Sequence, residues 1–231
     1  MPKRMTMDAY TKMLALSAAG FIAFYGVQRY ALRRGGYHYT DAPDATARRA
    51  NTTLLAAGVI LFSLSARCWD LWMGGAPAYA DILAFPSDGG LPLTPLLATL
   101  AAMAGFLSAR KVIREGRQQD FPPPSAWRLY FPLRAMFILS YEAFFRGTLF
   151  FPVVALFGIA PAIVANTVLY CVAHMHGDKG EKLGALVFGP ILCGLAFHHG
   201  SIWPAAIVHV ALTLSHEIPL GLHAIKMSKA R

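Results

Sequence analysis

Apolar residues in this chain come in long uninterrupted runs, not in the alternating or one-sided patterns of soluble strands and helices. No Asp, Glu, Lys or Arg occurs between Met13 and Gln28, Ala50 and Ala66, Gly89 and Ala109, Gly147 and Ala173, or Leu183 and Ser215. One bilayer crossing takes about 20 predominantly apolar residues, and about 17 suffice. The first two runs sit at the short end of that range, whereas the last two each hold more than one pass. All are too long for buried strands, and β-branched residues do not dominate them. The pattern predicts passes near residues 11–30, 51–71 and 90–109, a fourth from Tyr130, then 148–159, 161–176, 183–197 and 202–217. The fifth and seventh are short for independent crossings: either they are tilted or broken inside the bundle, or the true count is seven. The expected fold is therefore all-α: a polytopic transmembrane helical bundle of seven or eight spans, one membrane domain over residues 1–231.

Composition narrows this further. The 231 residues are 56% hydrophobic and 14% charged, against about 25% charged in an ordinary soluble domain. A soluble α-domain with unusually buried helices would have too few charges to cover its surface. Lys3, Arg4 and Lys12 precede the first run, as in a secretory leader, but Arg29, Arg33 and Arg34 follow it without a small-residue cleavage pattern, so a retained first helix is expected. Cys68, Cys171 and Cys193 lack metal-ligand spacing and read as small buried residues.

Arg29 to Arg49 and Arg110 to Arg128 are arginine-rich, while the segment with Asp81 and Asp88 has no basic residue. The positive-inside rule puts the first two in the cytoplasm and the third across the membrane, although a spanning first helix then leaves Lys3 and Arg4 outside. The net charge of +9 fits attraction to anionic membrane lipids. No basic module interleaved with aromatics accompanies it, which argues against nucleic acid. Pro122, Pro123 and Pro124 form a rigid lead-in to the fourth helix.

Ionisable groups within the apolar runs need an explanation, because each costs roughly 2.5 kcal/mol or more on insertion scales. Glu142 and Arg146, four apart, share a helix face and can pair; the bland reading is an ion pair holding two helices together. Asn166, His174 and His176 interrupt a later helix, with Tyr170 and His174 on one face. His198 and His199 fall at a break marked by Gly200 and Pro204, where an interfacial role is expected. His209 and Thr213 share a face of the last helix, with His216 seven residues beyond His209. Packed together, these helices would surround a polar intramembrane cavity, in which a carboxylate takes a proton from water and imidazoles orient that water or stabilise a carbonyl oxyanion. Zinc is the competing reading, but there is no His-Glu-x-x-His helix and no paired-cysteine site. Serine chemistry is weaker, since no nucleophile elbow surrounds Ser140 or Ser201.

These segments, Tyr141-Glu142-Ala-Phe-Phe-Arg146-Gly147, Tyr170-Cys-Val-Ala-His174 and His209-Val-Ala-Leu-Thr213, resemble in order and separation the motifs of the CAAX-processing and bacteriocin-processing (CPBP or Abi) membrane protease family, related to the prenyl-protein endopeptidase Rce1. The resemblance covers about Tyr130 to Glu217. It implies a glutamate-dependent intramembrane endopeptidase without a cofactor, which acts on a membrane-associated protein or peptide and resides in a bacterial inner membrane. It implies a water-activating glutamate at position 141 supported by His174, a Glu142 and Arg146 pair, and His209 and Thr213 near the oxyanion. Position 141 is tyrosine here, a poor base near neutral pH with an ordinary pKa of about 10, and Thr213 stands in place of an asparagine. Either Glu142 takes the base role, or the cavity is kept for binding without hydrolysis. A small transporter is a third reading, against which stand the short chain and the lack of an inverted repeat.

Overall fold

The computed structural model describes residues 7–36, 42, 44–72, 82–86, 93–116 and 124–229. Its principal elements are all helices: α1 Met7–Arg33, α2 Ala45–Trp72, α3 Leu93–Arg114, α4 Pro124–Glu142, a π-helical segment Ala143–Leu149, α5 Phe150–Phe157, α6 Ile159–Ala173, α7 Lys179–His199 and α8 Trp203–Lys229. The expected all-α architecture is present. Among the described residues, five helical stretches are long and apolar enough to cross a bilayer: Tyr10–Arg33, Leu93–Arg114, Trp127–Phe157, Lys179–His199 and Trp203–Met227.

Two features of the boundaries differ from the sequence pattern. The fourth and fifth expected passes are a single continuous helix from α4 through the π-helical segment into α5, every residue from Tyr130 to Phe157 being helical, Pro132 and Pro152 included. The break falls at Gly158, whose φ of 86° is open to glycine and costly for other residues. The seventh pass, expected to be short, is 21 residues long. Its first turn is charged, and so invisible to an apolar count, but Asp178 caps it by accepting the Glu181 amide at 2.8 Å. Gly200, with φ of 59°, closes α7 at the expected break before α8. Pro132, Pro190 and Pro219 lie inside helices, a placement tolerated where neighbouring helices satisfy the freed groups.

The chain forms two compact units. The first comprises Met1–Tyr25, Val59–Gly90 and Leu139–Ala206; the second comprises Gly26–Gly58, Leu91–Ile138 and Ile207–Arg231. In the first unit, Met13, Ile82 and Ile202 make one core cluster, and Phe150, Ala162 and Cys193 another. The segment at 82–86 is tied to the turn between α7 and α8: the Ser201 hydroxyl donates to Ala84 O at 2.9 Å, Trp203 Nε1 to Leu83 O at 2.8 Å, and the Ile202 amide to Ile82 O at 3.1 Å. These bonds satisfy carbonyls that a helix would have satisfied internally.

In the second unit α3 is inside out by the standard of a soluble helix. Its buried residues are small, Thr94, Ala101, Gly105 and Ala109, while Leu96, Leu100, Met103 and Leu107 are exposed. That is the arrangement of a helix in lipid, where close backbone approach replaces the hydrophobic effect as the source of packing. A Cβ on Gly105 would run into the Leu212 carbonyl oxygen of α8.

Candidate functional site

In the first unit the site is built around the widened turn between α4 and α5. The Phe150 amide donates to Phe145 O, five residues back, and the Thr148 hydroxyl donates to Ala143 O at 3.3 Å. Phe145 O also accepts the Asn166 side-chain amide from α6 at 2.6 Å. Single π-helical turns of this kind recur at functional sites.

Glu142 and Arg146 flank the start of this turn. Arg146 Nη1 lies 3.2 Å from Glu142 Oε1, and both side chains are 0% exposed. Both residues belong to one continuous helix, so the contact between them does not itself cross between helices. The Arg146 guanidinium also sits over the Tyr170 ring at 4.5 Å, a cation–π contact strengthened by the absence of water.

Tyr170 leads to His174, its ring 4.5 Å away between centroids. His174 is the residue at which α6 ends, and its Nδ1 is 2.8 Å from Tyr170 O. A carbonyl oxygen can only accept, so a neutral ring carries its proton on Nδ1 and presents the lone pair on Nε2. Tyr141 is 3% exposed. Its ring stacks on Phe145 at 4.4 Å and meets Tyr170 at 5.7 Å and His174 at 6.1 Å edge to face. The position at which the resemblance implies a first glutamate is thus filled by an aromatic ring packed among aromatic rings.

Tyr141, Glu142, Arg146 and His174 are therefore brought together in one unit. His209 and Thr213 lie on α8 in the second unit, Thr213 buried and His209 half-buried. His176 lies beyond the end of α6, stacked with Tyr25 at 5.7 Å, and His198 and His199 close α7 with rings 4.8 Å apart. Among the described residues, no three His, Cys, Asp or Glu side chains are grouped to hold a metal ion.

Two features escaped the sequence reading. Asn166 joins α6 to the π-helical segment and also accepts from Cys193 Sγ of α7 at 3.2 Å; an amide inside an apolar run was the signal. In the second unit, Glu217 of α8 accepts from Tyr130 at 2.9 Å and from Arg134 Nε at 3.0 Å, both on α4. The signal there was a carboxylate late in an apolar run and a Tyr and Arg four apart on another helix.

No curated protein and no solved structure matches the chain. Residues 124–215, from the first residue of α4 to well inside α8, match the model of the family described as type II CAAX prenyl endopeptidase Rce1-like.

Proposed function

We propose that this protein is a glutamate-dependent intramembrane endopeptidase that hydrolyses a membrane-associated protein or peptide, with Glu142 as the general base. The observation that carries this reading is the convergence of Glu142, Arg146, Tyr170 and His174 in one buried cluster, within the stretch that matches the endopeptidase family. Glu142 takes a proton from a water that His174 Nε2 orients, and the resulting hydroxide adds to the scissile carbonyl carbon. Collapse of the tetrahedral intermediate breaks the C–N bond as Glu142 returns the proton to the leaving nitrogen. Arg146 holds the carboxylate in place. The oxyanion roles of His209 and Thr213 come from the resemblance, and variant activities assign them.

The proposed setting is a bundle of seven crossings around a polar cavity, in a bacterial inner membrane. Chain parity supports the count. The bonds from Ser201, Ile202 and Trp203 to residues 82–84 support a reading with the α7–α8 turn on the same membrane side as the segment 82–86. On that reading an even number of crossings lies between them, and three long apolar stretches do: Leu93–Arg114, Trp127–Phe157 and Lys179–His199. The shorter apolar helix Ile159–Ala173 supplies the fourth, and α1, α2 and α8 complete seven.

Cleavage of candidate membrane peptides by the reconstituted protein tests the reading. Loss of cleavage in both Glu142→Gln and His174→Ala, with folding retained, is expected; full cleavage in both would overturn it. A second reading rests on Tyr141: a ring packed among Phe145, Tyr170 and His174 suits a protein that binds a membrane peptide without cutting it. Capture of such a peptide, sensitive to Tyr141→Ala and without product, would favour that reading.

A further inference from the structure

We infer that Asn166 is the positioning residue of this site: it holds the π-helical turn in register and so keeps Arg146 on Glu142. The inference rests on the endopeptidase reading for its effect on turnover, but its structural part stands by itself. Asn166 is 1% exposed in α6, where an apolar side chain would pack at no polar cost. Its amide nitrogen donates at 2.6 Å to Phe145 O, the carbonyl that also accepts the Phe150 amide across the π-helical turn. Phe145 O can only accept, which fixes the orientation of the amide and turns Oδ1 towards Cys193, whose Sγ is 3.2 Å away. One side chain therefore ties three elements: α6, the widened turn and α7.

The turn needs such a tie. A π-helical turn holds one residue more than an α-helix would, and each residue rotates an α-helix by about 100°. Should the segment tighten to α-helical register, Phe145 O would pass to the Leu149 amide, and Arg146 would swing relative to Glu142. A second, charge-free donor on Phe145 O favours the wide register. Arg146 is the group that benefits, since its position over Tyr170 and its 3.2 Å contact with Glu142 both depend on which way the turn faces. Deleting the donor misdirects the pair without touching either member.

The test uses the full chain in lipid bilayers. Solid-state NMR measures the Arg146 side-chain nitrogen to Glu142 carboxyl carbon distance, and isotope-edited infrared spectroscopy reads the Phe145 carbonyl. Asn166→Leu is expected to raise the Phe145 carbonyl frequency and to lengthen the Arg146–Glu142 distance. In turnover it lowers kcat about tenfold, with KM changed by less than about threefold. Cys193→Ala is expected to shift both spectra in the same direction by less, and Cys193→Ser, which restores a donor to Oδ1, to return them to the original values. An unchanged distance in Asn166→Leu overturns the inference. If Asn166→Leu does not fold, the smaller Asn166→Ala decides, and an Arg146–Glu142 distance unchanged in it overturns the inference; the cysteine variants do not decide it, because Cys193 also lies beside Arg146. Altered distances in a protein whose Glu142→Gln variant still cleaves fully would sustain the positioning role and defeat the endopeptidase reading.

Discussion

Among the described residues, two arginine–carboxylate pairs lie in the apolar helices, and they differ in what they join. Glu142 and Arg146 are four residues apart on one continuous helix, in contact at 3.2 Å and fully sealed. Arg134 and Glu217 come from α4 and α8, meet at 3.0 Å with side chains 24% and 8% exposed, and share Glu217 with the Tyr130 hydroxyl. The second pair joins distant parts of the chain, so its benefit is tertiary. The first joins neighbours that the helix already holds, and two leucines would fill that space without desolvating any charge. Arg146 does reach α6 over the Tyr170 ring, but its pairing with Glu142 bridges no second helix, and so costly a sealed carboxylate is better explained by chemistry than by folding.

The sharpest way to break this contrast is to neutralise each carboxylate separately. Glu142→Gln is expected to lower peptide cleavage at least ~100-fold, the loss typical of removing a general base, and also to cost about 3–5 kcal/mol in detergent, because it leaves the sealed Arg146 cation without its carboxylate. Retained cleavage in the folded variant would return the first pair to a structural role. Glu217→Leu should lose stability alone. It leaves Arg134 facing an apolar site and costs about 2–3 kcal/mol, below the full penalty of a buried pair because Arg134 is partly exposed. Denaturation in detergent reads that cost, and cleavage per folded molecule should stay within about threefold of the unaltered protein. Adding Arg134→Leu should recover at least half the stability; no recovery would mean that Tyr130, not the ion pair, ties α8 to α4.

How much of this was legible follows from what each signal depends on. The long runs without charge announced membrane helices, because lipid imposes a composition on every residue of a span. Spacing placed Glu142 beside Arg146 and Tyr170 beside His174, since i,i+4 neighbours are fixed by helix geometry alone. The fusion of the fourth and fifth passes was not legible: an apolar count cannot tell a turn in lipid from a widened helical turn, and the evidence lies in the hydrogen bonds of Phe145 O. The start of α7 was hidden because Lys179, Glu181 and Lys182 are charged, although Asp178 was a readable cap. The partner of Glu217 was not legible either, since the 83 residues back to Arg134 are bridged by packing and not by period.

The packing of the second unit has its own test. Gly105→Ala puts a methyl group against the Leu212 carbonyl of α8, a backbone atom that cannot step aside as a side-chain end would. Forcing the helices apart should cost about 2 kcal/mol, in the range for overpacked interiors. An Ala variant as stable as the original would show that α3 and α8 slide freely.

The smallest effect asks whether the second unit is structural throughout. Thr213 is buried at 8% exposure on α8, four residues before Glu217. If it serves only packing, Thr213→Val, which keeps the branched shape and removes the hydroxyl, should leave cleavage unaltered. If it donates to a developing oxyanion, Val should slow kcat about fivefold, the scale of about 1 kcal/mol for one neutral hydrogen bond, with KM unchanged. Thr213→Asn then separates donor loss from shape, because the longer amide keeps a donor on the same helix face. Cleavage by Asn near the original rate beside a slow Val assigns the hydroxyl to the reaction, and equal rates for all three confine the chemistry to the first unit.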